Sequence, residues 1–595
     1  EKYQSTNISF VAGMASRMKS IGPSRPLLFL LAVCVGIRCG CDAWGAIPPS
    51  LTSHISSTTT THSKCGRTEP GLHRDFFRLQ ESTNSNTIAA TPTSEGQSSS
   101  SSDNKSQPLP YDWKKQWYSV TFASYVPNPS KSAEVTPVSV FGEPMVLWRS
   151  EDNGIVHCAN DVCPHRAAAL SEGRLRDGKL ECYYHGWQFD GEKDGECNFI
   201  PQLEKDAQIP KAACLKMREC RTVEGIVWVW MGDEAPAVGP PEQGDGIGTM
   251  DPMTGKHEDY IINDFQIDLP YDHSYLVENL IDPAHIPISH DATPGGGKRE
   301  NAQAYEMIVD RNSIGPDGFT GRYRTASQRE KGDDFIEVQY QAPGIIRQKG
   351  RPRGKDSPLR FGAALHCMPL TLGRSRLLFR AYFTGLPPLA KLLITMKPKF
   401  LGNLNSCKIL EQDAGLITTQ EDHFKRSKRS LRDDYILLSS SDVFVKSYRQ
   451  WLDKVGHGMP WFQGLATRSS NVNDHLAEIP PSPPGLDPIH HRAGNYVETR
   501  YHRHVMHCPT TRKALARIQT LKKGMLALTV VFITLSCGMA TSEQLLARRV
   551  VKRMLKVMVP LIPVSSLVAA GLHKLEQRFF VSFKRKNQMS TEIGL

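Results

Sequence analysis

The sequence predicts an α+β chain: an all-β unit, then a mixed unit, then two apolar helices at the C-terminal end. Three observations predict it. WYSVTF, PVSVFGEPMVLWRS and VEGIVWVWMG are β-branched and aromatic runs broken by Gly, Pro and Asn, as short strands require. Further on, the strand-like DFIEVQYQA and SRLLFRAYFTGL alternate with helical segments around 276–290 and 406–455. Last come an uncharged apolar run of 18 residues, Gly524–Thr541, and another of 16, Val557–Leu572, interrupted by Pro560 and Pro563.

From the N-terminus, residue 1 is Glu, so residues 1–13 read as upstream of a start at Met14 or Met18. Arg17, Lys19 and Arg25 precede an apolar stretch, Leu27–Ile37, with small residues near Ala43 and Ala46. Residues 14–46 therefore have the form of a signal peptide, too short to span. From Ala43 to Thr68 one finds Asp42 just behind and no acid, but many Ser and Thr plus His54, His62, Lys64 and Arg67. That composition is expected of an organellar transit peptide, so 47–108 reads as transit peptide and disordered linker. A plain secreted protein with a Ser/Thr linker is the rival reading.

Residues 111–233 form the predicted all-β unit, and they carry Cys163-Pro-His165 and Cys182-Tyr-Tyr-His185. Two Cys–His pairs at this spacing can hold a [2Fe–2S] cluster with two thiolates on one iron and two imidazoles on the other. Imidazole donates less negative charge than thiolate, so such a cluster takes up an electron at a higher potential than an all-Cys one. A Cys2His2 zinc site uses the same ligand types. Residues 234–257 are rich in Gly, Pro and Asp and read as a linker.

The mixed unit, 258–460, contains NLIDPAHIPISH, with Asn279, Asp282, His285 and His290, and later LEQDAGLITTQ, with Asp413 at its centre. Two His and one carboxylate on one face of a non-haem Fe(II) leave positions open for dioxygen. Read alone, the same residues are ordinary polar side chains and a solvated helix acid. Residues 478–510, with PPSPPGLDP, read as a linker, and 524–572 as two membrane helices. A span takes about 20 apolar residues, so the first is long enough and the second is marginal. Two buried helices of a soluble domain are the alternative. Basic residues lie before, between and after the runs, so orientation is not readable.

Net charge is +11, concentrated in the leader and around the apolar tail. It reads as targeting and attraction to a membrane surface, with no nucleic-acid partner, because no aromatic–basic RNA motif accompanies it. Of 14 Cys, Cys34, Cys39, Cys41 and Cys65 fall in the leader. The others show no disulfide framework, which suits a reducing compartment. Cys158, Cys197, Cys214, Cys220, Cys367 and Cys407 read as packing residues.

The stretch from Cys163 through His185-Gly186-Trp187, Phe189-Asp190 and Gly195 strongly resembles the Rieske fingerprint. N-x-x-D-x-x-H-x-x-x-x-H closely resembles the mononuclear-iron motif of Rieske non-haem oxygenases. The whole order, with paired apolar C-terminal helices, resembles the plastid pheophorbide a oxygenase family. That resemblance, covering about Tyr111 to Leu572, implies a helix-grip catalytic fold. It implies a Rieske cluster on Cys163, His165, Cys182 and His185, and a mononuclear Fe(II) on His285, His290 and Asp413, with Glu411 and Gln420 framing the last. Asp282 would bridge to a cluster ligand of a neighbouring subunit in a trimer, with Asn279 beside it in the catalytic set. The implied reaction is O2-dependent oxygenation of a chlorophyll-derived tetrapyrrole, pheophorbide a or chlorophyllide a. A translocon redox component with little turnover, or an oxygenase of another apolar substrate such as a carotenoid, are the alternatives. No flavin or NAD fingerprint is present, so reductant comes from a separate carrier, in a plastid a ferredoxin. The leader then resembles the bipartite leaders of plastid-membrane proteins in algae with complex plastids. The family's juxtamembrane C-x-x-C is here Cys508-Pro-Thr-Thr511, so a local dithiol is missing. His502, His504 and His507 read as a solvated juxtamembrane face, with a metal site as the alternative. Gly295–Gly297 reads as a mobile mouth or a surface turn.

Overall fold

A computed structural model describes residues 111–239, 261–468 and 499–583, apart from scattered positions. The leader, most of the first linker and residues 478–498 lie outside the described residues.

Eleven short strands build the first unit. They are β1 (Trp117–Phe122), β2 (Thr136–Val140), β3 (Glu143–Arg149), β4 (Val156–Asn160), β5 (Arg174–Arg176), β6 (Lys179–Glu181), β7 (Gln188–Asp190), β8 (Glu196–Phe199), β9 (Met217–Arg218), β10 (Cys220–Val223) and β11 (Ile226–Trp230). They pair as β1-β11-β10, β2-β3-β4-β9 and β5-β6-β7-β8. Each Cys–His pair sits in a loop at the end of a strand, the first after β4 and the second between β6 and β7.

The second unit begins with β12 (Ile261–Leu269), α1 (His273–Ile281), α2 (Ile286–Ser289), β13 (Tyr305–Val309), β14 (Gly318–Thr325) and α3 (Ala326–Glu330). It continues with β15 (Ile336–Gln341), β16 (Ile345–Gly350), β17 (Arg360–Thr371), β18 (Arg374–Thr384), α4 (Pro388–Met396), α5 (Lys399–Ser427), α6 (Leu431–Asp434) and α7 (Val443–Lys454). Its strands form one antiparallel seven-stranded sheet, β12-β18-β17-β16-β15-β14-β13.

That sheet is covered on both faces. Along one face α7 packs Phe444 against Tyr323, and Tyr448 and Trp451 against Tyr340. On the other, Ile345, His366 and Leu378 stand in one cross-strand row, and Trp228 of the first unit packs edge-on to His366 at 5.5 Å. Double coverage is the physical reason that SRLLFRAYFTGL lacks strict alternation: Leu377 and Leu378 are both buried, on opposite faces. Two ion pairs, one buried and one half-buried, fix the unit-to-unit register. Arg376 binds Asp268 at 2.6 and 2.9 Å and donates to the Val120 carbonyl at 3.0 Å. Arg380 binds Asp264 at 2.7 and 2.8 Å and donates to the Glu224 carbonyl at 2.7 Å.

At the C-terminal end, α8 (Pro509–Thr541) and α9 (Arg549–Gln577) form a hairpin, each helix long and apolar enough to cross a membrane. Both exceed the apolar runs because their basic flanks continue the helix. In α9 this also embeds Pro560 and Pro563 in a 29-residue helix. Thr529 donates to Ser565 across the hairpin at 2.8 Å. The stretch expected as the end of a linker, up to 510, is instead packed protein. Tyr501–Val505 makes a π-helical turn in which Arg503, His504 and Val505 are buried.

Candidate metal centres

The two Cys–His loops repeat one turn. Cys163 N–H donates to Ala168 O and Ala167 N–H to Cys163 O, each at 2.9 Å; Cys182 N–H donates to Trp187 O and Gly186 N–H to Cys182 O, again at 2.9 Å. The residue four beyond each Cys is left-handed, Ala167 at φ 55° and Gly186 at φ 74°. At Gly186 a Cβ would also stand 2.9 Å from the Pro201 ring, so the 200–203 turn closes on this loop. Asp161, accepting from the Ser171 N–H at 2.6 Å, and Glu181, accepting from Arg174 at 2.7 Å and Gln188 at 2.8 Å, brace the loops from beneath.

This geometry points both thiols inward and both imidazoles outward. Cys163 and Cys182 are buried side by side, and their mutual interaction lowers the pKa of the Cys182 thiol while raising that of Cys163. The rings of His165 and His185 lie 4.5 Å apart, and Trp187 stacks on His165 at 4.5 Å. Two soft donors on the protein side and two imidazoles on the solvent side fit an asymmetric [2Fe–2S] cluster, which these four residues would hold.

The second constellation lies where α1, α2 and α5 converge. Asp282 caps α1 and accepts from the Ala284 N–H at 2.7 Å, turning the chain into α2, whose two ends are His285 and His290. α5 lays Asp413 across them. Its Oδ2 is 3.1 Å from His290 Nε2 and 3.6 Å from His285 Nε2. One donor atom from each of the three lies within 4.8 Å of the others, so they can hold one metal ion. Asp282 stands behind His285, 3.4 Å from Nδ1. Burial opposes protonation of His285, but Asp282 and Asp413 outweigh it and raise its pKa. Burial likewise opposes ionisation of Asp413, and the His290 contact overcomes it and holds the carboxyl low.

Gln412 Oε1 lies 3.1 Å from His290 Nδ1, and its Nε2 donates to Thr293 Oγ1 at 2.9 Å. With the amide oriented this way, a His290 that gave Nε2 to a metal would keep its proton on Nδ1, directed at Gln412. Such a partner orients a ligating imidazole. No local pattern distinguishes Gln412, which lies between Glu411 and Asp413. Glu411 itself faces away from the metal centre. It accepts from Arg500 and from Arg503, the latter at 2.9 Å, in the juxtamembrane turn.

A cavity of about 410 Å³ opens onto Asp282, His285 and Asp413. Asn279 lines it with a buried Oδ1 that has no hydrogen-bond partner among the described residues, and Leu416, Ile417, Ile436 and Val445 supply apolar wall. Beside it Glu278 accepts from Arg449 Nε at 2.5 Å and from Tyr435 at 3.1 Å, while Gln420 donates to Glu278 at 3.1 Å. That buried network was invisible in the sequence because its members are 142 to 171 residues from Glu278 along the chain.

Gly296 and Gly297 have a different role from the open mouth or plain turn expected of them. A Cβ on Gly296 would lie 2.5 Å from His290 Cβ, and one on Gly297 would lie 2.4 Å from Pro287 Cα. The turn is pressed against α2, and only glycine permits that approach.

The C-terminal histidines are not a solvated face. His504 is fully buried, with Nδ1 2.6 Å from Gln266 O and Nε2 3.0 Å from Thr511 Oγ1. His507 Nε2 is 3.4 Å from Asp268. Cys508 accepts from Thr511 Oγ1 at 3.3 Å and Asn403 Nδ2 at 3.4 Å. Burial alone would raise its pKa; His504, Thr511 and Tyr125 reverse that and bring it down to about 6. Among the packing cysteines, Cys158, Cys197, Cys367 and Cys407 are buried as expected, Cys220 is half-buried, and Cys214 is exposed.

Residues 116–216 match the Rieske [2Fe-2S] domain family, and residues 340–430 match the pheophorbide a oxygenase family. Protein TIC 55 of Arabidopsis thaliana is 36% identical over 450 residues, 73% of this chain and 78% of that protein. Pheophorbide a oxygenase of Oryza sativa subsp. japonica is 27% identical over 73% of this chain and 78% of that one. Flavonoid 8-hydroxylase 2 of Ocimum basilicum is 25% identical over 72% and 79%. All three are described as chloroplastic.

Proposed function

This chain belongs to the Rieske oxygenase family of TIC 55 and pheophorbide a oxygenase, and on that premise we propose that it oxygenates a chlorophyll-derived tetrapyrrole at a plastid membrane. The family carries a Rieske cluster and a mononuclear iron, and the residues present fit both. Cys163, Cys182, His165 and His185 would hold the cluster; His285, His290 and Asp413 would hold Fe(II). When bound, the cluster supplies electrons singly and the Fe(II) supplies the open-shell centre without which dioxygen reacts slowly with closed-shell molecules.

The chain's own residues do the rest. Gln412 holds His290 in one tautomer, and Asp282 orients His285 from behind. In a homotrimer Asp282 also accepts a hydrogen bond from a cluster ligand of the neighbouring subunit, linking the two centres. Asn279 offers its unpartnered carbonyl oxygen to the cavity. Apolar walls exclude water and receive the reacting edge of a flat substrate. Its remainder lies over the exposed rim formed by Leu416 and Ile436 and against Leu438 outside. Reduced ferredoxin supplies the electrons, consistent with a chain that has no flavin or nicotinamide motif of its own.

The single observation that carries the reading is the pairing, in one chain, of the Cys–His loops with a His–His–Asp cluster facing a cavity. Two other readings have specific support. The higher identity to TIC 55 favours a redox component of an envelope translocon with little turnover. The likeness to flavonoid 8-hydroxylase 2 favours an oxygenase of a substrate other than a tetrapyrrole.

The test uses the chain from about residue 108 onward, iron-loaded anaerobically, with reduced ferredoxin and 18O2. Pheophorbide a, chlorophyllide a and protochlorophyllide a are offered. Label in one tetrapyrrole product establishes the oxygenase and its substrate. A normal Rieske signal with no label in any product overturns the tetrapyrrole reading and favours the other two.

A further inference from the structure

Helix α4 buries none of its residues. Its sequence PLAKLLITM nevertheless places Leu389, Leu392, Leu393 and Met396 at i, i+3, i+4 and i+7, one stripe about 100° wide, with Lys391 and Thr395 opposite. A helix of a globular unit turns such a stripe onto the core. Here the four side chains are 53–70% exposed.

The position of α4 says what covers it. α5 begins three residues beyond Met396, and Phe400 in its first turn stacks on Phe579 at 5.9 Å. With Leu404, Phe400 joins a cluster of Val505, Leu515, Ile518 and Phe579, which seats the protein-side end of the α8–α9 hairpin. On α8, Leu515 and Ile518 are buried, whereas Leu521, Leu526 and Val530 are half or more exposed. The hairpin therefore leaves the protein within a turn of Ile518, and Phe400 marks that level. Met396 is four residues from Phe400, at most about 14 Å away. Lys391, Lys397 and Lys399 lie on or beside α4, where ammonium groups meet lipid phosphates.

We propose that α4 lies in the surface of the membrane crossed by α8 and α9, its Leu389–Leu392–Leu393–Met396 stripe immersed at the acyl–headgroup boundary. The proposal rests on the hairpin being a membrane hairpin and not on the identity of the substrate. The N-terminal end of α5 is then held twice, by the hairpin through Phe400 and by the bilayer through α4. Asp413 lies 13 residues further along the same helix, about 20 Å at 1.5 Å per residue. The candidate metal centre is thus kept at a set distance from an apolar reservoir.

The experiment places an environment-sensitive fluorescent amino acid at Leu392, at Thr395 or at Glu192, one site per protein. Each full chain is reconstituted into phosphatidylcholine–phosphatidylglycerol vesicles. A lipid nitroxide at a shallow acyl position should quench the Leu392 probe several-fold more than either other probe. Equal weak quenching at all three sites overturns the proposal. A blue-shifted Leu392 probe that lipid nitroxide does not quench, and that reverts on diluting protein in the vesicles, also overturns it by assigning the stripe to a second copy. As a readout without a probe, trypsin should cut vesicle-bound Leu393→Gln/Met396→Gln after Lys391 several-fold faster than wild type. Equal rates, with unchanged Rieske spectra, count against the proposal.

Discussion

Arg500 donates from Nε to Glu411 at 2.9 Å, and both side chains are buried. Glu411 stands two residues before Asp413 on α5, so the segment that leads into the membrane hairpin grips the helix that carries the third candidate ligand. Arg500 Nη2 donates to the same carboxylate too, as do Arg503 at 2.9 Å and the Phe583 N–H at 2.8 Å. The candidate metal site and the apolar hairpin are therefore parts of one packed structure.

The grip predicts a large cost for breaking it. Arg500→Ala leaves Glu411 with a buried charge that Arg503 alone must compensate, and removing one partner of a buried pair costs about 3–5 kcal/mol. Thermal unfolding in detergent should show a clear drop in midpoint, with iron lost from the mononuclear site before the Rieske absorbance fades. Simultaneous loss of both would show that α5 is not separately held.

The two centres separate by mutation. His285→Ala should abolish oxygenation while leaving the Rieske electron paramagnetic resonance signal, and Cys163→Ser should abolish both. Turnover surviving in His285→Ala would remove that residue from the ligand set.

Gln412→Leu keeps the volume but removes the acceptor for His290 Nδ1–H. Losing such a partner typically costs 10- to 100-fold in metal affinity. Iron titration of the apo-site should show that loss with an unchanged Rieske spectrum, and Gln412→Glu, which retains an acceptor, should recover much of it.

Gly297→Ala must displace Pro287 backbone, because its Cβ would sit 2.4 Å from Pro287 Cα. Mononuclear iron occupancy should fall markedly, whereas Gly315→Ala, with nothing within 4 Å of the new Cβ, should leave it alone. Metal analysis of the two variants side by side decides the point.

Cys508 makes a pH prediction. Its pKa is lowered from the ordinary thiol value of 9.0 to about 6 by His504, Thr511 and Tyr125 acting against burial. A depressed folded-state pKa contributes stability that is fully present above about 9 and is lost as pH falls toward 6. The stability gap between wild type and Cys508→Ala should therefore widen from pH 6 to pH 9, by at most a few kcal/mol at about 1.4 kcal/mol per unit. A gap that is flat or narrows with pH would show that the thiol is held neutral.

Much of this protein is written locally. Strand runs in the first unit, both Cys–His pairs, the H-x-x-x-x-H pair and the two long apolar helices are readable because each rests on spacing within one or two elements. A turn, a helix of two ends, or a bilayer's thickness converts that spacing directly into geometry. What tertiary structure alone decided depends on residues far apart in sequence. Gln412 meets His290 across 122 residues, Arg500 meets Glu411 across 89, and Arg449 meets Glu278 across 171. No local pattern encodes those meetings. The same holds for the environment of His504 and for Gly296 and Gly297, whose composition suggests solvent until a second element is packed against them. The sequence determined which chemistry the chain can bring to a site, since ligand type and short-range spacing are covalent facts. The tertiary structure decided which groups orient those ligands and which charge ties them to the membrane end, since burial and partnership exist only once distant segments are packed.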